Sequence, residues 1–322
     1  MSKLNLFFVT NMYPSLNSQK GIFVKELVDC IRVKSDVGQI SVFNIDKGSS
    51  GFKKYIFSII PLFRCLSQGK FDLINVHFGL SFVPMFFLLP YLWFKKVKIV
   101  LTLHGSDLMG GKVVNTISNL AILFSDKSIV VSPAMVSYVW EISLKKLSVI
   151  PCGVNDCFEF IERPSWNVSQ EIKMIFPSSP LRPEKNYKLF SKVVLLLKSK
   201  GVIVNEIHFD GLNRLEIMEA LSKANLLFLS SIREGSPQVV KEAVLTGLPV
   251  VSTNVGDVAD ILDGISGEKS FISSNPDEIV DWILKGFSGS SIDQASVNLK
   301  HQCYSNSYLS QKVINEFKRA VG

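Results

Sequence analysis

The sequence is poor in the residues that build covalent or metal frameworks. Its five cysteines, Cys30, Cys65, Cys152, Cys157 and Cys303, are odd in number, scattered, and never spaced as CxxC. A disulfide scaffold is thereby excluded, and a reducing, cytoplasmic compartment is the expectation. Four histidines, equally dispersed, argue against metal ligation, and no metal or other cofactor is expected. The most apolar run, Phe82 to Phe94 (FVPMFFLLPYLWF), has 13 residues and two prolines. A spanning helix needs about 18 or more. The opening run Leu4–Val9 is short, is interrupted by Asn5 and has no small-residue cleavage site, so it reads as a buried strand rather than a secretory signal. Low-complexity tracts and repeats at solenoid periods are missing too.

What is present is a globular composition, 47% hydrophobic and 20% charged, in 322 residues. That length suffices for two domains, each with its own core. Charge is spread unevenly: residues 1–155 hold 17 Lys+Arg against 8 Asp+Glu, and the remainder 18 against 20. A basic first half predicts an anionic partner. No helix-turn-helix, zinc or RNA-binding signature occurs, so an anionic membrane surface is expected in preference to nucleic acid. Strand-like runs at Leu4–Val9, Ile40–Ile45, Asp72–Val76, Lys98–Leu103, Lys127–Val131 and Leu147–Ile150 alternate with helical stretches. Such alternation predicts an α/β fold with a parallel sheet covered on both faces, its ligands at the carboxyl ends of the strands.

The most informative stretch runs from Leu226 to Leu262, LLFLSSIREGSPQVVKEAVLTGLPVVSTNVGDVADIL. An apolar run, Leu226–Leu229, predicts a buried parallel strand. A polar loop follows, with Ser236 expected as N-cap and Pro237 as the first helical residue. Gly247 and Pro249 end the helix, and Val250-Val251 opens another strand. Backbone N–H groups and the helix dipole converge on an anion at such a helix start. Glu234 in the loop and Glu242 in the helix frame the position, and carboxylates, being acceptors only, suit hydroxyl groups.

This stretch resembles the Glu-x7-Glu motif of the retaining glycosyltransferases of family 4, which have the GT-B fold. REGSP, KEAV and TGLPVVSTNVGD all stand where that family has similar residues. The resemblance implies two Rossmann-like parallel-sheet domains facing across a cleft. The implied boundaries are an acceptor domain at 1–155, a nucleotide-sugar domain at 156–305, and a C-terminal helix at 306–322 crossing back to the first domain. It implies that Glu234 contacts the donor sugar and Glu242 the ribose hydroxyls. Gly235, Ser236, Pro237 and Gln238 lie beside the donor diphosphate.

Elsewhere the signals are shorter. After the first strand, Gly21 enters a predicted helix at Ile22–Val33; from the residues alone it is a helix-entry glycine, and the resemblance places it opposite the donor diphosphate. His77 in NVHFG and His104 in TLHGSD stand at successive strand ends. HGSD resembles the family's loop against the sugar and acceptor, which implies that His104 contacts one of them. Asp107 then orients His104 or touches the acceptor hydroxyl, and His77 plays a supporting part. VIPCGVND (Val149 to Asp156) resembles the interdomain segment, with Cys152 and Asn155 in place of the usual Asn and Asp. Glu159–Glu171, with Pro164, reads as a linker.

In the second half, a strand at Lys173–Pro177 precedes LRPEKNYKLF and a helix at Tyr187–Ser199. Further elements are expected at Asn205–Gly211, Leu215–Ala224, Asp277–Lys285 and Gln311–Ala320. The family places an Arg and a Lys after that first strand to stabilise the leaving diphosphate. Lys185 matches directly. Pro180 stands at the usual arginine position, so Arg182 matches only through a shifted loop.

The implied activity is transfer of a sugar from a nucleotide diphosphate sugar, UDP-linked by expectation, to a hydroxyl acceptor. A lipid-diphosphate-linked saccharide of surface polysaccharide assembly, met by an enzyme peripheral to the inner face of the membrane, fits the basic first half. An epimerase of similar fold and a non-catalytic nucleotide-sugar-binding partner remain as alternatives. Two segments, Phe52–Arg64 and Phe86–Lys98, mix cations with aromatics. They read equally as lipid-docking elements or as core helices with solvated ends.

Overall fold

The computed structural model describes residues 3–15, 19–45, 51–163, 165–167, 169–286 and 292–322. The chain divides into two compact units, 1–153 with 306–322, and 154–305.

In the first unit the order is β1 (Leu4–Thr10), α1 (Ile22–Arg32), β2 (Val37–Asn44), α2 (Lys53–Phe57), α3 (Ile59–Gln68) and β3 (Leu73–His77). Then come α4 (Val83–Phe94), β4 (Lys98–Leu103), α5 (Ser106–Met109), α6 (Lys112–Phe124), β5 (Lys127–Val130) and β6 (Leu147–Val149). The six strands form one sheet in the order β2-β1-β3-β4-β5-β6, every pair parallel. Strand β3 is buried along its whole length, which is why its sequence is a continuous apolar run broken only by Asn75 and His77.

The second unit holds β7 (Ile172–Phe176), α7 (Tyr187–Ser199), β8 (Val204–His208), α8 (Arg214–Lys223), β9 (Leu226–Leu229) and α9 (Gln238–Leu245). It continues through β10 (Val250–Ser252), α10 (Val258–Leu262), β11 (Ser270–Ile272), α11 (Pro276–Leu284) and α12 (Gln294–Tyr304). Its sheet runs β11-β10-β9-β7-β8, again parallel throughout. Helix α8 starts on a capping box: the Asn213 side chain accepts from Leu215 and Glu216, and Glu216 reaches back to the Asn213 N–H.

The last helix, α13 (Asn306–Val321), belongs to the first unit. Its Leu309, Val313, Ile314 and Phe317 are buried with Phe8, Val24, Val28 and Ile31 beneath α1. Each such side chain contributes about 1.5–3 kcal/mol of apolar burial. Lys318 Nζ lies 2.7 Å from Asp36 Oδ2, and Lys34 Nζ donates to the Ser307 carbonyl at 2.9 Å.

Within the expected linker, Glu159–Glu171, most of the described residues are exposed, and two side chains anchor the segment. Arg163 is buried and donates to the carbonyls of Leu221, Ser222, Ala224 and Thr246, and burial pushes its pKa down to about 10. Trp166 is buried too, its Nε1 donating to the Glu171 carbonyl. Pro164, which prompted the linker reading, lies outside the described residues. Among the described residues no helix is long and apolar enough to cross a membrane.

Candidate active site

Strand order locates the crevices. In the second sheet the chain passes from β7 to β8 on one side and then to β9 on the other, so the order reverses between β7 and β9. Loops leaving the carboxyl ends of two such strands diverge and open a ligand site. Those two loops carry Lys185 and Glu234. Lys185 closes a 3-10 turn, Pro183–Lys185, and is followed by Asn186 in the left-handed conformation (φ 52°), one that asparagine tolerates. The turn is tied to the loop after β9. Ser230 Oγ donates to the carbonyls of Lys185 and Asn186 at 3.0 and 3.1 Å, and Ile232 N–H to that of Glu184 at 2.9 Å. Lys185 Nζ thereby sits 2.5 Å from Glu234 Oε1, which also accepts from Ser231 Oγ at 2.6 Å. Both charged side chains are 14% exposed, open at one edge and otherwise enclosed.

The same unit holds a second pair. Glu242, on α9, is 3% exposed and meets Arg214, the first residue of α8, at 2.6 Å. The Arg214 guanidinium also lies over the Phe158 ring, 4.6 Å from its centroid. A third pair is fully buried. Lys241 Nζ contacts Ser236 Oγ, lies 3.2 Å from Asp257 Oδ2, and sits 5.1 Å from the centre of the Tyr304 ring. Burial raises the Asp257 pKa, with the Lys241 charge opposing.

Ser236 corrects one expectation. It does not cap the helix; its hydroxyl donates to Asp257 Oδ2 at 2.6 Å. Pro237, with ψ 108°, takes the N-cap position, and α9 begins one residue later at Gln238. Proline brings no side-chain acceptor, so the positive end of α9 is capped by no side chain of its N-cap residue. Gly235 packs main chain to main chain against the next loop: a Cβ on Gly256 would stand 2.4 Å from the Gly235 carbonyl oxygen, and Gly256 has φ +60°.

Arg182 is not brought to this group. Its guanidinium turns to Glu184, Nη2 to Oε1 at 2.6 Å, and remains 55% exposed.

In the first sheet the order reverses between β1 and β3. Gly21 follows β1 with φ 78°, and a Cβ there would lie 2.3 Å from the Met12 carbonyl oxygen. Backbone geometry alone therefore demands glycine at that position. His77 ends β3 and His104 follows β4. Their rings stack at 5.2 Å between centroids, with His77 Nδ1 2.9 Å from His104 Nε2. Cys152 Sγ approaches the other His104 nitrogen at 3.7 Å, and the rings of Phe23 and Phe78 flank it. Burial pushes the His77 pKa down to about 3, and burial with the neighbouring His77 lowers that of His104 well below the ordinary range. Both imidazoles are uncharged at neutral pH.

Asp107 does not meet the His104 ring. Its carboxylate accepts from the backbone N–H of His104 (2.9 and 3.0 Å) and of Gly105 (2.8 Å), while burial lifts its pKa to about 6. It holds the His104 main chain and leaves the imidazole to other partners.

Comparison with known proteins gives the family and the fold. The family model "Glycosyltransferase Family 4" matches residues 32–157, and "Glycosyl transferases group 1" matches 183–287. This chain belongs to the family 4 glycosyltransferases. A curated relative, N-acetyl-α-D-glucosaminyl L-malate synthase of Bacillus anthracis, is 22% identical over 227 residues; the match spans 61% of this chain and 60% of that protein's length. Among solved structures, sucrose-phosphate synthase from Thermosynechococcus elongatus superposes with TM-score 0.74 at 12% identity, covering 98% of each chain. HepE of Anabaena, in complex with UDP and glucose, gives TM-score 0.72 at 13% identity over 98% of this chain and 99% of its own. The GT-B fold is the shared property at these identities.

For this family 4 glycosyltransferase, several residues of the pairs escape notice in the sequence. Arg214 stands just inside the capping box at Asn213–Glu216, the one local hint that its position is fixed. Lys241 is a lone cation in the apolar run VVKEAV, a pattern that signals a buried partner. Nothing local marks Asp257 as that partner, since it lies 16 residues away on another element.

Proposed function

We propose that this chain moves a sugar, with retention of configuration, from a UDP-linked donor to a hydroxyl of a lipid-diphosphate-linked saccharide in surface polysaccharide assembly. The observation that carries the reading is the Lys185–Glu234 pair formed across the two loops at the switch point of the second sheet, with Arg214–Glu242 joining α8 to the helix that follows. Breaking the bond between the sugar and the diphosphate leaves an electron pair on a phosphate oxygen. The Lys185 ammonium and the start of α9 offer positive charge there with no reorganisation, so the reading calls on no metal. Glu234 takes the sugar hydroxyls. Glu242, a carboxylate and so an acceptor only, takes the ribose hydroxyls. HepE, solved with UDP and glucose, supports the uridine donor. In the first unit His104, uncharged, is suited to exchange a hydrogen bond with a neutral hydroxyl, and Asp107 fixes the loop that presents it. The basic charge of that unit supports a cytoplasmic protein peripheral to the membrane.

The test is thermal unfolding with UDP, GDP, ADP and CMP, because a ligand that binds only the folded state raises its stability by mass action. UDP is expected to raise the midpoint of the wild type and not of Glu242→Gln. Absence of any shift with all four nucleotides overturns the donor assignment. NMR of the product is expected to show the donor's anomeric configuration; an inverted product refutes retention.

A further inference from the structure

The outer face of α2, α3 and α4 is crowded with side chains that have no place in water. Ile56, Phe57, Ile60 and Phe63 stand out from α2 and α3, and Phe87, Trp93 and Phe94 from α4, the last 82% exposed. Helix α4 shows why. It is apolar on every side, so only half of it, through Met85, Leu88, Leu89 and Leu92, can be buried against the sheet. Ring contacts tie α4 to its neighbours: Phe63 of α3 meets Tyr91 at 5.1 Å, and Phe86 meets Phe124 of α6 at 5.8 Å. Large apolar side chains exposed together on neighbouring helices mark an interaction surface.

Charge decides what the surface meets. Between Gly51 and Ser106 the sequence has seven cations, Lys53, Lys54, Arg64, Lys70, Lys95, Lys96 and Lys98, and a single acid, Asp72. That acid is exposed, its Oδ2 accepting from the Asn5 N–H at 2.7 Å, and Lys98 is paired with Asp126 at 3.0 Å, which leaves six cations against the one acid. A second protein surface would need acids to match these cations across the band, and a second copy of this chain brings the same positive charge to the same face. A bilayer with anionic headgroups complements both the rings and the cations at once. We infer that the α2–α3–α4 face seats the first unit on an anionic bilayer, with Phe57, Ile60, Phe87 and Phe94 entering the headgroup layer and Lys53, Arg64 and Lys95 on lipid phosphates. The inference rests on the membrane-peripheral part of the proposed function and assigns its surface, and it does not depend on the donor chemistry.

Co-sedimentation of the full chain with vesicles tests it, comparing phosphatidylcholine alone with phosphatidylcholine containing roughly one quarter phosphatidylglycerol. The wild type is expected to sediment with the anionic vesicles, at least tenfold more tightly than with the neutral ones, and to be released by salt. Phe57→Ser with Phe94→Ser is expected to lower the affinity at least tenfold. Lys53→Glu with Lys95→Glu is expected to abolish the preference for anionic lipid. Both variants change exposed residues, so their thermal midpoints and any UDP shift should equal those of the wild type. This keeps failure of the surface distinct from failure of the donor site. Three outcomes overturn the inference: no binding to anionic vesicles, binding untouched by both variants, or a dimer in solution that the phenylalanine variant dissociates.

Discussion

The two units use one architecture to build opposite environments at their switch points. In the second, three ion pairs involve α9 and the loops after β7 and β9, and Lys241–Asp257 is enclosed. In the first, two stacked neutral imidazoles, a thiol and aromatic rings occupy the equivalent position, and the one carboxylate there is consumed by backbone N–H groups. The charged group suits a donor whose bond breaks to leave a negative diphosphate. The neutral group suits a hydroxyl that must remain uncharged until it attacks. One consequence is that the two regions respond to different perturbations: the second to loss of a partner charge, the first to acid.

The largest effect is expected where a charge loses its partner without water to replace it. Lys241→Met leaves Asp257 buried and uncompensated, which costs about 3–5 kcal/mol, whereas removing both charges is close to neutral. Urea unfolding should show that loss for Lys241→Met and recovery for Lys241→Met with Asp257→Leu. If the double variant is as unstable as the single one, the pair is not an isolated buried ion pair and the contrast between the units weakens. Glu242→Ala should behave similarly toward Arg214, and should remove nucleotide binding as well.

Acid should separate the regions next. The folded-state pKa of His77, about 3, lies below the unfolded value near 6.5. The unfolded chain therefore binds the proton more tightly in this window, and stability present above pH 6.5 is lost as pH falls toward 3. By pH 4 this amounts to roughly 3 kcal/mol from His77 alone. Asp107 opposes this, because a pKa raised to about 6 favours the folded state as pH falls from 6 toward 3.8. His77→Gln is therefore expected to shift the slope between pH 6.5 and 4 toward greater stability in acid, as measured by urea titrations at stepped pH. An unchanged slope would assign the acid sensitivity to other groups.

Much of this contrast was legible before the structure, but unevenly. Every strand named from the sequence occurs, because buried parallel strands leave continuous apolar runs. Strand β11, three residues long and half exposed, left no such mark. Glu234, Glu242 and Lys185 could be named because the elements bearing them have local signatures. Their partners could not: Arg214–Glu242 spans 28 positions and Lys241–Asp257 spans 16, separations that only tertiary packing brings together. The Ser236 cap reading differs for a related reason: the N-cap position falls to Pro237, and the Ser236 hydroxyl is engaged by Asp257 and Lys241, partners that tertiary packing supplies. The aromatic segments around α2 and α4 could be read either way because an all-apolar helix has no phase to betray its buried side.

A smaller effect is expected at Gly21. Alanine there must adopt φ 78° and place its Cβ 2.3 Å from the Met12 carbonyl oxygen. A loss of about 1–3 kcal/mol is expected, read by thermal unfolding. Because the cost is structural, nucleotide binding by the surviving folded fraction should be unchanged; weakened binding at full folding would instead place this loop on the donor.

The smallest effect is expected at Arg182, and it bears most directly on the charged region. In its pair with Glu184 the guanidinium side chain is 55% exposed, and such pairs contribute between zero and about 1 kcal/mol. Arg182→Ala should leave stability within about 0.5 kcal/mol and alter UDP affinity by less than about threefold. Lys185→Ala, which strips the enclosed Glu234 of its ammonium, should weaken UDP at least tenfold, the range expected when a hydrogen bond to a charged group is lost. Calorimetry on the two variants compares one residue's position in the fold with the other's. Equal losses would mean that the guanidinium leaves Glu184 when the diphosphate arrives. The shifted loop around Pro180 would then supply the arginine that the family resemblance calls for.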